Sequence, residues 1–348
     1  MKEIGSEFWK IDIDDKYHNN LEFLNIGKDY KLVMCGMTAI DYVLNDFDDE
    51  KKIVYMPNYC CESMVIPFID NGYVVEYYNV DLINNQIDID LNKNCSVFFG
   101  MTYFGYNSTN VDDYIEIFSK RGVVVIEDIT HRIFSRKNHC KYSSYLIASL
   151  RKWFPIYTGG VAINLHHYFH NDLSDYFVDI QLVELKKKAM VLKRDYIDGK
   201  IKDKQKFLDL YKTANLLIEK YKNKLIDIES LKILESTNIE DMINKRINNV
   251  KLIENKLNNI IQLPCKYQMG DCPIFVPIII NNRDIKRKKL IDNNIYCPVH
   301  WPTFSESNNK IYDFELSLIC DQRYRSNDIN DYIDVLIKII NEVDNDEI

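Results

Sequence analysis

No apolar run in these 348 residues approaches the roughly 20 residues that a membrane-spanning helix needs; the longest include Val123–Ile126 and Ile274–Ile280. The opening residues, Met1-Lys2-Glu3-Ile4-Gly5-Ser6-Glu7, have no apolar stretch behind their lysine, which argues against a secretory signal. Cys-x-x-Cys pairs are absent. The nine cysteines are odd in number and irregularly spaced, with Cys60 and Cys61 adjacent, a pattern that fits reduced thiols in a cytoplasmic protein rather than a disulfide framework. Positive charge is in deficit: 44 Lys and Arg face 52 Asp and Glu, for a net charge of −8. That sign argues against nucleic acid or an anionic membrane surface as partner. Internal repeats and low-complexity linkers are also missing. What remains, 46% hydrophobic and 28% charged residues, is ordinary for a globular chain long enough for one large α/β domain and a smaller one.

The order of elements is legible from periodicity. Residues 31–44 read as a short strand, a turn at Gly36 and an amphipathic helix. Strands follow at Ile53–Met56, Val74–Tyr78, Ser96–Phe99 and Val123–Ile126, with helices at Ser63–Ile69 and Asp112–Lys120 and a short strand at Val161–Ile163. Alternation of this kind implies a mostly parallel sheet covered on both faces. From about Leu173 to Leu257 Gly and Pro nearly vanish, which predicts long helices with a break at Asp198-Gly199. Lys186-Lys187-Lys188 reads there as a solvated helix face. An edge strand containing Pro277, a helix at Ile285–Asp292, a last helix at Asp328–Val343 and a frayed tail at Asp344–Ile348 complete the chain. The expected domains are 1–230 and 231–348.

One group of residues carries chemistry. Ser149-Leu150-Arg151-Lys152 is followed by Gly159-Gly160 and preceded by Glu127-Asp128, at the end of an apolar strand. A lysine on a short loop, a hydroxyl three residues before it and an acid beyond a strand's carboxyl end are what pyridoxal phosphate (PLP) requires. The amine forms an imine, the hydroxyl helps hold phosphate, and the acid keeps the pyridine nitrogen protonated. Each residue has a plainer reading. Asp128 could cap the Asp-Ile-Thr-His turn, His131 could be a structural hydrogen-bonding residue, and Lys152 could be a surface lysine. Trp153 and Phe154 beside Lys152 would strip its solvation, and Gly159-Gly160 would permit close backbone approach or a turn. The helix opening at Gly36-Met37-Thr38 would offer free N–H groups to a phosphate, unless Thr38 caps it.

In this order the residues resemble PLP-dependent enzymes of the aspartate-aminotransferase fold. More narrowly, they are similar to the sugar aminotransferases of the DegT/DnrJ/EryC1/StrS family. The matching segments are Cys35-Gly36-Met37-Thr38-Ala39, Pro57-Asn58-Tyr59-Cys60, Val125–His131, Lys152 to Gly159-Gly160, Cys297–Pro302 and Leu318–Tyr324. The resemblance implies a fold-type-I α/β large domain and a small α+β domain. It implies Lys152 as the imine and proton-transfer residue, Asp128 on the pyridine nitrogen, His131 near the ring, and Gly36, Met37 and Ser149 on the phosphate. Cys61 occupies the slot where the family places a bulky aromatic against the ring, with Tyr59 as a possible substitute. Tyr157-Thr158-Gly159-Gly160 lacks the family's acid before the glycines, and Ser149-Leu150-Arg151-Lys152 departs from the family's Ser-Phe-His toward the Ser-x-x-Lys of aspartate aminotransferases.

Three further residues are candidates for substrate contact. Arg323 could fork a carboxylate or pair with Asp321 or Asp328. His300, with Trp301, could line a channel or pack in a core. Trp9, with Phe8, could belong to an arm over the site or act as a docking anchor. The expectation is a homodimeric aminotransferase moving an amino group from glutamate to a nucleotide-linked keto-deoxy sugar for surface polysaccharide. The alternatives are a PLP enzyme acting on an amino acid or small amine, and a degenerate non-catalytic homologue.

Overall fold

The computed structural model describes residues 3–12, 17–84, 86–107, 110–302 and 310–345. Met1 and Lys2 of the opening segment and the last three residues of the tail lie outside them. The elements run β1 (Ile4–Gly5), β2 (Asp29–Val33), α1 (Gly36–Leu44), β3 (Ile53–Pro57), α2 (Glu62–Asp70), β4 (Val74–Asp81), β5 (Gln86–Asp88), β6 (Val97–Met101), α3 (Val111–Lys120), β7 (Val124–Asp128), β8 (Tyr145–Ser149) and β9 (Gly160–Asn164). They continue with α4 (Ile180–Ile197), α5 (Gln205–Ile218), α6 (Ile228–Glu235), α7 (Ile239–Leu257), β10 (Phe275–Ile279), α8 (Arg283–Asp292), β11 (Ile295–Tyr296), β12 (Glu315–Ile319) and α9 (Ser326–Asn345). Helix α9 therefore carries residues 344 and 345, where fraying was expected. Among the described residues no helix is long and apolar enough to cross a membrane.

Eight strands form one sheet in the order β2-β9-β8-β7-β6-β3-β4-β5. The central run from β8 to β4 is parallel, while β2, β9 and β5 join antiparallel. The all-apolar stretches explain the centre, since a strand covered on both faces has no polar face to alternate with. Phe98 and Phe99 of β6 and Val125 and Ile126 of β7 are completely buried. In β10, Pro277 sits opposite Ser317 of β12 in a two-stranded ladder, a position where a missing N–H leaves no central bond unmade.

The expected boundary at 230 falls inside α6, where the structure has no break. Ile233, Leu234 and Met242 pack with Leu146 and Trp153 of the large domain. Val250, Ile253 and Leu257, further along α7, pack with β10, β12 and α9. One uninterrupted helix thus serves both cores, and the change of core lies within α7. The N-terminal segment joins the small core through Ile4 and Trp9.

Candidate active site

Three chain segments meet at the carboxyl ends of β7 and β8. The first is the end of β7. Strand alternation sends Glu127 and Asp128 to opposite sides. Glu127 turns inward to Arg132, the Cys140 N–H (2.9 Å) and the Ser143 hydroxyl (2.7 Å). Asp128 turns to the cleft, where its Oδ1 accepts the Thr130 N–H at 2.7 Å. The capping role is thus real, and it also fixes the carboxyl group in place. Burial raises the Asp128 pKa, while the Thr130 contact and the Lys152 charge draw it down. Among the described residues no ion pair engages it, although it is only 3% exposed.

The second segment is the turn after β8. Leu150–Lys152 forms a single 3-10 turn, and the Thr130 Oγ1 accepts the Ser149 N–H at 2.9 Å, tying this turn to Asp128. The Lys152 Nζ lies 3.4 Å from His131 Nε2. His131 Nδ1 accepts the Phe104 N–H at 3.0 Å, so the proton of the neutral ring resides on Nε2 and faces the lysine nitrogen. Burial, then the Lys152 and His300 charges, hold the imidazolium pKa well below its usual range, which keeps the ring neutral. The aromatic beside the amine is Trp301, with its ring centre 5.7 Å from Nζ and stacked on His131 at 16°. Trp153, expected there, turns away into the core and donates its Nε1–H to the Thr130 carbonyl.

The third segment is the start of α1. Cys35 is extended and offers no side-chain cap, and Thr38 donates its hydroxyl to the Tyr221 carbonyl instead of capping. The Gly36 and Met37 N–H groups therefore point out of the helix end. Gly160 permits this arrangement: a Cβ there would stand 2.2 Å from the Cys35 carbonyl oxygen. Gly36, Met37, Cys61, Asp128, Ser149 and Lys152 line a single cavity. His131 lies beside that cavity through its Lys152 contact.

Other expectations are corrected. Tyr59 is buried edge-on against Trp301, gives its hydroxyl to the His300 carbonyl at 2.6 Å and is not among the residues that line the cavity. His300 is buried one layer back, its Nδ1 2.7 Å from the Ser317 Oγ and its backbone N–H 2.7 Å from Glu315. Burial and the Lys152 charge lower its pKa to about 3. Trp9 is an anchor, 5% exposed and edge-on to Tyr324; Phe8 is the residue of that pair that lines the interdomain cleft. Arg323 spends its Nε–Nη2 fork on Asp321 (2.9 and 2.7 Å) and two further N–H groups on the Ser6 and Glu7 carbonyls, which leaves no fork for a substrate carboxylate. Burial would raise the Asp321 pKa, but Arg323 outweighs it and holds the carboxyl below its usual range. Lys186 is 5% exposed, not solvated, because it follows Leu182 and precedes Met190 by one turn each on the buried stripe of α4.

Sequence reasoning assigned no role to Thr130, although it lies within the Val125–His131 segment, to Glu315 and Ser317, which carry no motif, or to Arg151, which was visible only as the neighbour of Lys152. Glu315 yields a prediction. Burial drives its pKa from 4.5 to about 8 against the pull of His300, Ser317 and Arg283. The folded state then holds a proton that the unfolded chain releases, so its contribution is full below about 4.5 and lost as pH rises through about 8. Urea-unfolding free energies should fall over that window in the native protein and fall less in Glu315→Gln. Parallel pH profiles would contradict the assignment.

The donor set fits PLP: a buried acid without an ion-pair partner, an amine within reach, and outward N–H groups at a helix start. No family model matches the sequence, and no curated protein matches it. Solved structures do match. The aminotransferase TlmJ from Streptoalloteichus hindustanus is 13% identical, with 92% of this chain covering 89% of that one at a TM-score of 0.65. The Helicobacter pylori aminotransferase PseC, involved in pseudoaminic acid biosynthesis, is 13% identical over 98% and 100% of the two chains, TM-score 0.64. A DegT DnrJ EryC1 StrS aminotransferase from Brucella abortus is 14% identical over 92% and 87%, TM-score 0.59. At these identities the likeness establishes the architecture: the chain has the α/β fold of the fold-type-I aminotransferases.

Proposed function

We propose that this protein is a PLP-dependent aminotransferase that takes an amino group from glutamate and delivers it to a keto sugar, nucleotide-linked and destined for surface polysaccharide. The observation that carries this reading is one cavity lined by Lys152, Asp128, Ser149 and the open start of α1. The fold shared with TlmJ and PseC supports it, because both are aminotransferases. Bound there, PLP would supply an electron sink for the substrate's Cα–H bond. The chain supplies the rest. Asp128 would pair with the protonated pyridine nitrogen. The Gly36 and Met37 N–H groups and Ser149 would hold the phosphate. Lys152 Nζ would be the group that carries the proton in the transfer, and the His131 ring, 3.4 Å away, would position it. Trp301 holds its ring centre 5.7 Å from the amine. The site is proposed to act in the cytoplasm, in a homodimer.

The test is the visible absorption spectrum of purified protein with PLP, before and after glutamate. A yellow lysine-bound band that bleaches on glutamate establishes cofactor and donor together. A band that glutamate leaves unmoved keeps the cofactor and rejects this donor. Absence of any band with excess PLP rejects the reading and favours a non-catalytic homologue. Asp128→Asn should retain PLP yet lower single-turnover amino transfer by about 10²–10³-fold, the size associated with one preorganised electrostatic group. Unchanged turnover would remove Asp128 from the mechanism.

A further inference from the structure

Arg151 and Lys186 come from different elements and meet beside the start of α1. Both line a cavity that also contains Ser149 and Lys152. Arg151 lines the cofactor cavity as well, alongside Gly36 and Met37. Leu182, one turn before Lys186, packs with Cys35 and Met37 in one apolar cluster, which fixes Lys186 against the same helix end. The Arg151 Nε is buried and has no hydrogen-bond partner. Burial, then the Arg151 charge, lowers the Lys186 pKa to about 8.

Lys186 is buried and Arg151, partly buried, stands beside it, so the two cations repel each other, and loss of water worsens the repulsion. One acid, Glu7, lines their cavity, but it is exposed and cannot neutralise both. An unmade donor at Arg151 adds a further cost. All three are relieved by a dianion seated between the pair and the helix N–H groups. A phosphate suits them, since guanidinium and ammonium each bind phosphate oxygens through charge-assisted hydrogen bonds.

We propose that Arg151 and Lys186 form a phosphate-dianion site at the start of α1, supplied entirely within one chain. Taking that phosphate as the cofactor's rests on the PLP reading above; the site itself can be tested without it. The protein is stripped of cofactor, and PLP, pyridoxal and inorganic phosphate are titrated into native, Arg151→Met and Lys186→Met proteins, followed by absorption and calorimetry. In the native protein PLP should bind far more tightly than pyridoxal, and inorganic phosphate should compete with PLP. Each variant should weaken PLP and phosphate about 10- to 100-fold, the worth of one charged hydrogen bond, and leave pyridoxal unchanged. Pyridoxal binding doubles as the check that the variants fold, and Lys186→Met should not lose thermal stability because it removes a buried charge.

Equal PLP-to-pyridoxal ratios in native and variant proteins would overturn the site while leaving the cofactor reading intact. Phosphate binding that both variants abolish, in a protein that binds neither PLP nor pyridoxal, would uphold the site and overturn the cofactor reading.

Discussion

Replacing Lys152 by Ala is expected to abolish steady-state amino transfer and the yellow band formed with PLP, while the thermal midpoint stays near the native value. In the proposed reading the amine is the nucleophile and the proton carrier, and no other described lysine lies as close to His131 Nε2, so no neighbour can take over both roles. The fold should survive because Lys152 enters no ion pair among the described residues. Its contacts are the 3.4 Å approach to His131 and the Trp301 face. The substitution also removes a positive charge that pulls Asp128 down and pushes His131 and His300 down. The Asp128 pKa should therefore rise further, and those of the two histidines should climb. Histidine NMR titrations on native and variant proteins report this directly. Retained turnover would refute the role of Lys152, and unmoved histidine titrations would refute the effect of its charge on the two rings.

Much of the site could be read from the sequence because its parts sit at element boundaries that leave local signatures. Asp128 ends a β-branched run, Gly36 opens a helix, and Gly160 must lack a side chain where Cys35 crosses it. The alternation of Glu127 and Asp128 followed from strand geometry alone. What escaped depends on contacts between distant segments. Arg323 was a fork awaiting a ligand until Asp321 and the Ser6 and Glu7 carbonyls claimed it. Tyr59 was a ring-stacking substitute until the His300 carbonyl and the Trp301 ring, more than 240 residues later, claimed its hydroxyl and its edge. Lys186 is the exception that the sequence did contain. It sits with Leu182, Ala189 and Met190 on one helical stripe, and a cluster of three lysines drew attention away from that spacing. The domain boundary was hidden for a related reason, since α7 changes cores without changing composition.

Arg132→Met is expected to cost about 3–5 kcal/mol of unfolding free energy, the range for stripping one partner from a buried ion pair. Arg132 is 1% exposed and bridges two acids, Glu127 within the sheet and Asp112 at the start of α3, the latter at 3.0 Å. Methionine fills much of the volume but leaves Glu127, fully buried, with only the Ser143 hydroxyl and the Cys140 N–H. Burial would raise the Asp112 pKa, yet Arg132 and Lys137 outweigh it and hold the carboxyl below its usual range. Because the folded pKa is depressed, that contribution is present above the unfolded value and lost as pH falls through the folded one. The variant should accordingly lose part of the native protein's decline in stability on the acid side. The effect should reach the site, because Glu127 and Asp128 are consecutive: loosening one loosens the end of β7 that aims the other. PLP affinity should drop together with stability, and Glu127→Gln combined with Arg132→Met should recover part of both, since the pair is removed together rather than broken. A loss below about 1 kcal/mol in urea unfolding would mean that the Ser143 and Cys140 contacts suffice to hold Glu127, and the coupling between the buried pair and Asp128 would fall with it.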